Sequence, residues 1–261
     1  MTANSRIPIL TYHSIDESGS VISVSLDKFK RHMELLKQRG FQTISLKKIT
    51  ECISKGIDFP KKSIAITFDD GFKNVYSKAF PVLKEFGFTA TIFLVSGKCG
   101  QNNQWDAQSR HIPRLDLLGW DEILEMSDNG LEFGAHTVGH ADLSGLPLAK
   151  AREEIVYSKE TLQGRLKKDI LFFAYPYGRQ TPEVKSIVKK EFLGVCSDKM
   201  GFATLKSDIY SLPRIEMYYF SGNNLFSWID APFFPGYILF RYSLRCIREL
   251  IRLRSIKRNE E

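Results

Sequence analysis

The sequence predicts an α/β protein built as a distorted (β/α) barrel of about seven strands. Short apolar runs alternate with stretches of helical periodicity through most of the 261 residues. Strands that alternate with helices form a parallel sheet through right-handed crossovers. Six or seven such units in roughly 220 residues suit a closed barrel better than an open sheet, and polar residues that follow each strand would then line one face.

In the first half of the chain, β-branched and aromatic runs predict strands, and apolar residues three or four positions apart predict helices. The helix Ser25–Arg39 carries Phe29, Met33 and Leu36 on one face, and Gly40 ends it. In chain order the predicted elements are strand Ile7–Tyr12, helix Ser25–Arg39, strand Ser63–Phe68, helix Val75–Phe86 and strand Phe88–Val95.

The second half of the chain repeats this alternation. Asn129 and Gly130 close the first predicted helix, and the longest one is highly charged. The predicted elements are helix Gly119–Asn129, strand Leu131–Ala135, helix Leu148–Leu166, strand Leu171–Ala174, helix Pro182–Glu191, strand Leu193–Cys196 and strand Arg214–Tyr218.

The composition excludes several classes of protein. About 43% of the residues are apolar, 26% are charged, and the mean hydropathy is −0.20, which excludes a disordered chain, a collagen-like repeat and a disulfide-built mini-protein. The apolar runs are too short for a protein made mainly of membrane spans. The net charge of +7 permits a nucleic acid, an anionic lipid or an acidic glycan as partner.

Most of this positive charge lies at the end of the chain. Residues 241–261 hold seven Lys and Arg against three Glu, a net charge of +4, so the other 240 residues carry only +3. We therefore divide the chain into a barrel, 1–225, and a basic tail, 226–261. The nearly neutral barrel and the absence of a nucleic-acid motif argue against nucleic-acid binding.

From Ile238 onward the tail predicts a basic amphipathic helix. Helical spacing places Arg241, Arg245, Arg248 and Arg252 in one column, and apolar residues spread over the remaining faces. Two interpretations stay open: a peripheral membrane anchor, or a last helix that packs on the barrel with its arginines in solvent.

The four cysteines are far apart, and the N-terminal residues lack the apolar core of a secretory signal. These features predict free thiols and a cytoplasmic protein, at the inner face of the membrane if the tail binds lipid. The oligomeric state is not predicted.

Two polar clusters follow predicted strands and carry residues suited to catalysis. The first, Thr67–Gly71, contains the adjacent carboxylates Asp69 and Asp70, which suit a metal or ligand site but also an ordinary turn or helix cap. The second, His136–His140, places two of the five histidines four residues apart. If both histidines lie on one helical turn, their side chains converge on a single ion. The alternative is that they are two unrelated surface or core histidines.

The third cluster, Phe173–Gly178, also follows an apolar run. We interpret Tyr175, Pro176 and Tyr177 as a rigid substrate-binding wall that offers backbone N–H donors, against the alternative of a plain strand-to-loop turn. On the same face of a barrel, one Asp and two His form a metal site with open positions, and the second Asp remains free as a base. This combination indicates metal-assisted hydrolysis.

These three motifs resemble those of the polysaccharide deacetylases of carbohydrate esterase family 4, over roughly residues 6–220. The resemblance implies a distorted (β/α) barrel that uses a divalent metal to remove N-acetyl groups from glycans rich in N-acetylglucosamine. It implies that Asp70, His136 and His140 are metal ligands and that Asp69 is the general base. It also implies that the backbone N–H of Tyr177 holds the oxyanion.

The chain departs from the family pattern at two positions. The third motif has no Arg before its proline to hold the base, and no His follows His140 to act as general acid. We expect Arg214 to pair with Asp69 and His13 to act as the acid or to lie near the leaving amine. The alternatives are a peripheral salt bridge for Arg214 and a structural role for His13.

The polar segment 97–113 is expected to be a substrate-side loop, with Trp105 packed beneath it or stacked on a sugar.

Together these observations predict a metal-dependent N-deacetylase of an amino-sugar glycan. The glycan would be a cell-surface, capsular or exopolysaccharide chain or its lipid-linked precursor. Two alternatives stay open: deacylation or deformylation of a lipid-linked sugar or another non-peptide amide, and a glycan-binding protein that has lost its acid. Zinc is the default metal for such ligands, although Co, Ni, Mn and Fe occupy similar sites.

Overall fold

Seven parallel strands close into a barrel in the computed structural model of the chain, which describes residues 5–106, 108–109, 111–220 and 224–259. Each strand pairs with the next in the chain, and the seventh pairs with the first. The strands are β1 Ile9–Tyr12, β2 Ser63–Phe68, β3 Thr91–Leu94, β4 Glu132–Ala135, β5 Phe172–Ala174, β6 Gly194–Met200 and β7 Leu212–Glu216. The predicted seven-stranded barrel is thus confirmed.

Helices surround this barrel. They are α1 Leu26–Gln38, α2 Leu46–Lys55, α3 Phe80–Phe86, α4 Trp120–Asp128, α5 Leu148–Leu166, α6 Pro182–Glu191 and α7 Phe234–Asn259. The sequence analysis assigned no element to α2, although Ser45 caps its first turn and Gly56 ends it in a left-handed conformation. The predicted helix Val75–Phe86 begins instead as a π-helical turn, Val75–Ala79, and becomes α-helical only at Phe80.

Shorter elements complete the frame. Gln42–Thr43 pairs with β2 on the outside of the ring, Arg6–Ile7 pairs with Ala203–Thr204, and Ser14–Ile15 pairs with Ser23–Val24. Single 3₁₀ turns occupy Ser96–Lys98, Pro176–Gly178, Met217–Phe220 and Asn224–Trp228.

Alternate residues of each strand enter two separate cores, as the period of two in a strand requires. Ile9 and Phe93 belong to a cluster made largely of strand residues and residues of α2, which fills the barrel interior. Leu10 and Ile92 belong to a larger cluster shared with α1, α3, α5 and α6, which lies between strands and helices. Polar residues at the carboxyl ends of the strands are therefore carried on a rigid frame.

Helix α7 packs against the barrel through Phe234 and Ile238, which are buried in the larger cluster. It begins four residues before the predicted start at Ile238. No helix within the described residues combines the length and the apolarity needed to cross a bilayer. The division of the chain at 225 stays a prediction.

Candidate active site

The candidate site lies at the carboxyl ends of the barrel strands. His13 follows β1, Asp69 and Asp70 follow β2, and His136 follows β4. Tyr175 follows β5, while Arg214 and Glu216 lie in β7. These residues are far apart in sequence and share a cavity of about 210 Å³, large enough for a small acyl group.

Asp70, His136 and His140 form a cluster suited to a metal ion. The Nε2 atoms of His136 and His140 lie 3.4 Å and 3.1 Å from Asp70 Oδ1, and all three side chains are buried. One carboxylate oxygen and two imidazole nitrogens are a common donor set for a divalent ion. The three predicted ligands are thus brought together, and their chemistry fits a metal.

Second contacts orient both imidazole rings. His136 Nδ1 donates to the carbonyl oxygen of Ala174 at 2.8 Å, so Nε2 is the ring nitrogen that faces the cluster. His140 Nδ1 lies 3.1 Å from the hydroxyl of Tyr177. Burial lowers the pKa of His140 below its ordinary value, despite the opposing effect of Asp70. A neutral ring is the form that binds a metal.

Trp105 packs on the opposite side of His140. Its ring stacks on the imidazole with a centroid distance of 4.2 Å, and the side chain is only 8% exposed. Trp105 therefore packs beside a proposed metal ligand and also lines the cavity. Gln108 and Ile112 of the same segment line the cavity, which places part of the predicted substrate-side loop at the site.

The segment from His136 to His140 is an irregular loop and not the helical turn that the four-residue spacing suggested. Thr137 and His140 adopt left-handed conformations, with φ of 67° and 60°. The carboxylate of Glu154, on α5, accepts hydrogen bonds from the backbone N–H groups of Val138 and Gly139 at 2.9 Å and 2.8 Å. Such strained residues persist only where their surroundings hold them.

Asp69 is held by Arg214 in a two-pronged ion pair. The guanidinium Nη1 and Nη2 atoms lie 2.7 Å from the two carboxylate oxygens, and both side chains are 5% exposed. Arg214 Nε also donates to the backbone oxygen of Ser197 at 3.0 Å. Burial raises the pKa of Asp69, but the charge and hydrogen bonds of Arg214 outweigh it and keep the pKa below its ordinary value. Asp69 is therefore ionised.

His13 bridges two carboxylates at the edge of the cavity. Its Nδ1 lies 3.3 Å from Asp70 Oδ2, and its Nε2 lies 3.0 Å from Glu216 Oε2. Burial lowers the pKa of His13, yet the charge of Glu216 and hydrogen bonds with both carboxylates raise it well above its ordinary value. The sequence analysis did not select Glu216, although it ends β7 as other site residues end or follow their strands.

The third motif supplies one wall of the cavity. Tyr175 and Tyr177 line it, whereas Pro176 is buried outside the lining. Burial, followed by the charge of Asp70, raises the pKa of Tyr177 to about 12, so its hydroxyl stays protonated. Tyr177 has a φ of 57°, and a Cβ atom on Gly178 would come within 1.9 Å of Asp198. Only glycine fits this turn.

Several known proteins are similar to this chain in sequence. A family model described as polysaccharide deacetylase matches residues 56–193. The Bacillus subtilis protein YxkH, named as a polysaccharide deacetylase, is 29% identical over 214 residues, which cover 81% of this chain and 71% of that protein. The poly-β-1,6-N-acetyl-D-glucosamine N-deacetylase of Staphylococcus aureus MRSA252 is 32% identical over 208 residues, covering 74% of this chain and 67% of that enzyme.

Solved structures show the same relationship. The Streptococcus pyogenes deacetylase PplD, determined in complex with acetate, superposes with a TM-score of 0.72 and 26% identity. The match covers 81% of this chain and 92% of that chain. The matched family model includes Asp69, Asp70 and both site histidines but ends before Arg214.

Proposed function

Because the chain belongs to the polysaccharide deacetylase family, we propose that it removes N-acetyl groups from the amino sugars of a glycan by metal-assisted hydrolysis. It is a hydrolase of C–N bonds in non-peptide amides. The carrying observation is that Asp70, His136 and His140 share one buried cavity with Asp69 in its ion pair with Arg214.

Asp70, His136 and His140 would hold a divalent ion, for which zinc is our proposal among zinc, cobalt, nickel, manganese and iron. When bound, such an ion supplies a Lewis acid that polarises the acetamide carbonyl and acidifies water. Asp69 is the proposed general base, which accepts a proton from the attacking water. Arg214 keeps its carboxylate ionised and fixes its direction.

The remaining roles follow from position in the cavity. The backbone N–H of Tyr177 would donate to the oxyanion that forms as water adds to the carbonyl. His13 would donate a proton to the sugar nitrogen as the C–N bond breaks, leaving acetate and a free amine. Glu216 would hold the imidazole of His13 through the 3.0 Å contact at Nε2. Tyr175 and Tyr177 would form the wall of the cavity next to the acyl group.

The proposed substrate is an N-acetylated glycan, either a surface polysaccharide or a lipid-linked precursor. The Staphylococcus aureus relative acts on poly-β-1,6-N-acetyl-D-glucosamine according to its name, which supports an N-acetylglucosamine polymer as the first substrate to test. We further propose action in the cytoplasm, at the inner face of the membrane. Buried free thiols at Cys52 and Cys196 support a reducing compartment.

Acetate release and loss of acetyl mass from N-acetylglucosamine oligomers and lipid-linked sugars test the activity. We expect turnover that a chelator abolishes and that zinc restores, and a decrease of about 10²- to 10⁴-fold for Asp69→Asn. Release of formate or a longer acid would favour the deacylase alternative. Glycan binding without turnover in the zinc-loaded protein would favour a binding protein and overturn the proposal.

A further inference from the structure

Helix α7 faces the barrel with its basic side. Arg245 donates to the backbone oxygen of Asp198 at 3.1 Å and also pairs with the Asp198 carboxylate. The guanidinium of Arg241 lies 4.9 Å from the ring centroid of Tyr219. Ile238 and Phe234, about one and two turns before Arg241, are buried. Arg241 and Arg245, the described arginines of the column, therefore contact the body of the protein, and the Arg245 side chain is 26% exposed.

The outer side of α7 is apolar. Phe240, Leu244 and Ile247 are 60%, 38% and 52% exposed, and their spacing of four and three residues places them on one helix face. Phe233, 56% exposed, directly precedes the helix, and its ring lies at a centroid distance of 5.3 Å from that of Trp228. We call these five side chains the outer stripe.

Single exposed apolar side chains are common, but a continuous stripe of them indicates an interaction surface. Within the described residues, the other large exposed apolar side chains outside this segment are scattered over the chain at Val21, Ile57, Leu124, Leu148, Tyr157 and Leu193. The outer stripe instead concentrates three aromatic and two aliphatic side chains between Trp228 and Ile247. Something apolar is expected to cover it.

The charge of the same segment identifies what covers it. Residues 241–261 carry seven basic and three acidic side chains, and apart from Arg241 and Arg245, which contact the body of the protein, five basic residues still outnumber the three acidic ones. A second copy of the chain would bring the same excess of positive charge to the contact, which costs free energy. An anionic bilayer offers opposite charge together with an apolar interior, and each basic residue near such a surface contributes about 1 kcal/mol of attraction.

We propose that the outer stripe of α7 binds the surface of an anionic lipid bilayer. The apolar side chains would enter the boundary between headgroups and acyl chains, as in other interfacial helices. Arg245 and Asp198 also line the catalytic cavity, so the helix that meets the lipid is one wall of the site. This consequence, that glycan is deacetylated close to the membrane, rests on the proposed function, whereas lipid binding itself does not.

Co-sedimentation of the full chain with vesicles tests this surface. We expect binding to vesicles of phosphatidylglycerol and phosphatidylcholine in equal parts, weaker binding to phosphatidylcholine alone, and weakening by salt. The triple substitution Phe240→Ser, Leu244→Ser and Ile247→Ser should lower the partition coefficient by at least about tenfold. The matched control, Leu148→Ser with Leu193→Ser, changes residues of similar exposure away from α7 and should bind as the wild type does.

Two further measurements make the result decisive. The triple variant should keep the wild-type circular dichroism spectrum and thermal midpoint, because its three side chains are exposed. If neither the wild type nor any variant removed acetyl groups, the proposed function would fail, but the proposal of lipid binding would stand or fall on sedimentation alone. Equal sedimentation of wild type and triple variant would overturn the proposal. A wild-type dimer that the triple variant disrupts, with no vesicle binding, would identify a second copy as the occupant and would also overturn it.

Discussion

Asp69 and Asp70 are adjacent in sequence, yet their surroundings give them different chemistry. Asp69 contacts one permanent cation, Arg214, which holds both of its oxygens. Asp70 instead lies against the imidazoles of His13, His136 and His140. Pairs of carboxylates in contrasting environments commonly divide the roles of base and ligand. The left-handed backbone of Asp70, with a φ of 70°, helps to send the two side chains to different partners.

If His13 protonates the leaving amine, the effect of replacing it depends on the leaving group of the substrate. His13→Ala and Glu216→Gln should slow hydrolysis of an N-acetyl sugar by about 10²-fold, because an amine leaves only after protonation. Both variants should hydrolyse p-nitrophenyl acetate at nearly the wild-type rate, because its phenolate leaves without a proton. Steady-state kcat on both substrates checks this. His111→Ala, which changes an exposed histidine, is the control. Equal slowing on both substrates would instead assign His13 to holding Asp70.

Several of these residues carried a signal in the sequence and others did not. The Asp-Asp pair, the paired histidines and the third motif follow apolar runs, so a barrel was enough to bring them together. Glu154 is one of several acidic residues in a charged helix, and Glu216 is a lone acidic residue at a strand end. Their importance comes from partners 15 and 203 residues away, which no local pattern encodes.

At the scale of elements, α5 does more than cover the barrel. Through Glu154 it fixes the loop that carries both site histidines, although the helix itself contributes no predicted ligand. Two successive N–H groups that converge on one oxygen form a small anion-binding nest. This arrangement ties the direction of the His140 ring to the position of a helix.

Replacing Glu154 should therefore alter metal binding. Glu154→Ala leaves two backbone donors without their partner, and we expect zinc affinity to fall about 10- to 100-fold. Glu154→Gln keeps an acceptor oxygen and should recover most of this loss. Competition with a chelating dye measures the affinity, and the visible spectrum of the cobalt form reports ligand geometry.

Glu153→Ala is the matched control for Glu154, because Glu153 lies beside it and pairs only with Lys150 in the described contacts. Unchanged zinc affinity in Glu154→Ala would show that the loop keeps its conformation without the helix.

The limits of prediction from sequence also show at this scale. The caps of α2 were present in the sequence, so that helix was predictable from Ser45 and Gly56. The periodicity of α7 indicated two unlike faces but not which of them meets the barrel. The face that packs on the barrel carries Arg245, which pairs with Asp198, 47 residues earlier in the chain. The π turn at Val75 likewise had no local signature.

At the scale of the whole molecule, one buried histidine links folding to pH. The Nδ1 atom of His32, on α1, lies 3.0 Å from the Tyr12 hydroxyl, and the ring packs against Phe226. Burial, with a smaller effect of Lys28, lowers the pKa of His32 to about 3. The folded protein therefore keeps this ring neutral at pH values where the unfolded chain, with an ordinary pKa of about 6.5, takes up a proton.

Stability should therefore fall as the pH drops through this window. Above about pH 6.5, His32 is unprotonated in both the folded and the unfolded state. Below about pH 6.5 the unfolded state binds a proton that the folded state does not, so the free energy of unfolding falls by up to about 1.4 kcal/mol per pH unit, down to about pH 3. Between pH 7 and pH 5 the contribution of His32 should decrease by about 2 kcal/mol. Urea unfolding of wild type and His32→Gln at both values measures it. His111→Gln should behave as the wild type, and parallel losses in all three proteins would refute the assignment.

The closure of the barrel has a consequence for how this enzyme could diversify. Where β7 meets β1, the first and last strands of the ring form a seam, and that seam carries His13, Arg214 and Glu216. The proposed metal ligands Asp70, His136 and His140 instead lie in the segment that the family model matches. Substitutions at Arg214 and Glu216 would alter how protons are delivered without replacing any of these three ligands. Relatives with the same metal centre could thereby acquire different leaving groups, and so different substrates.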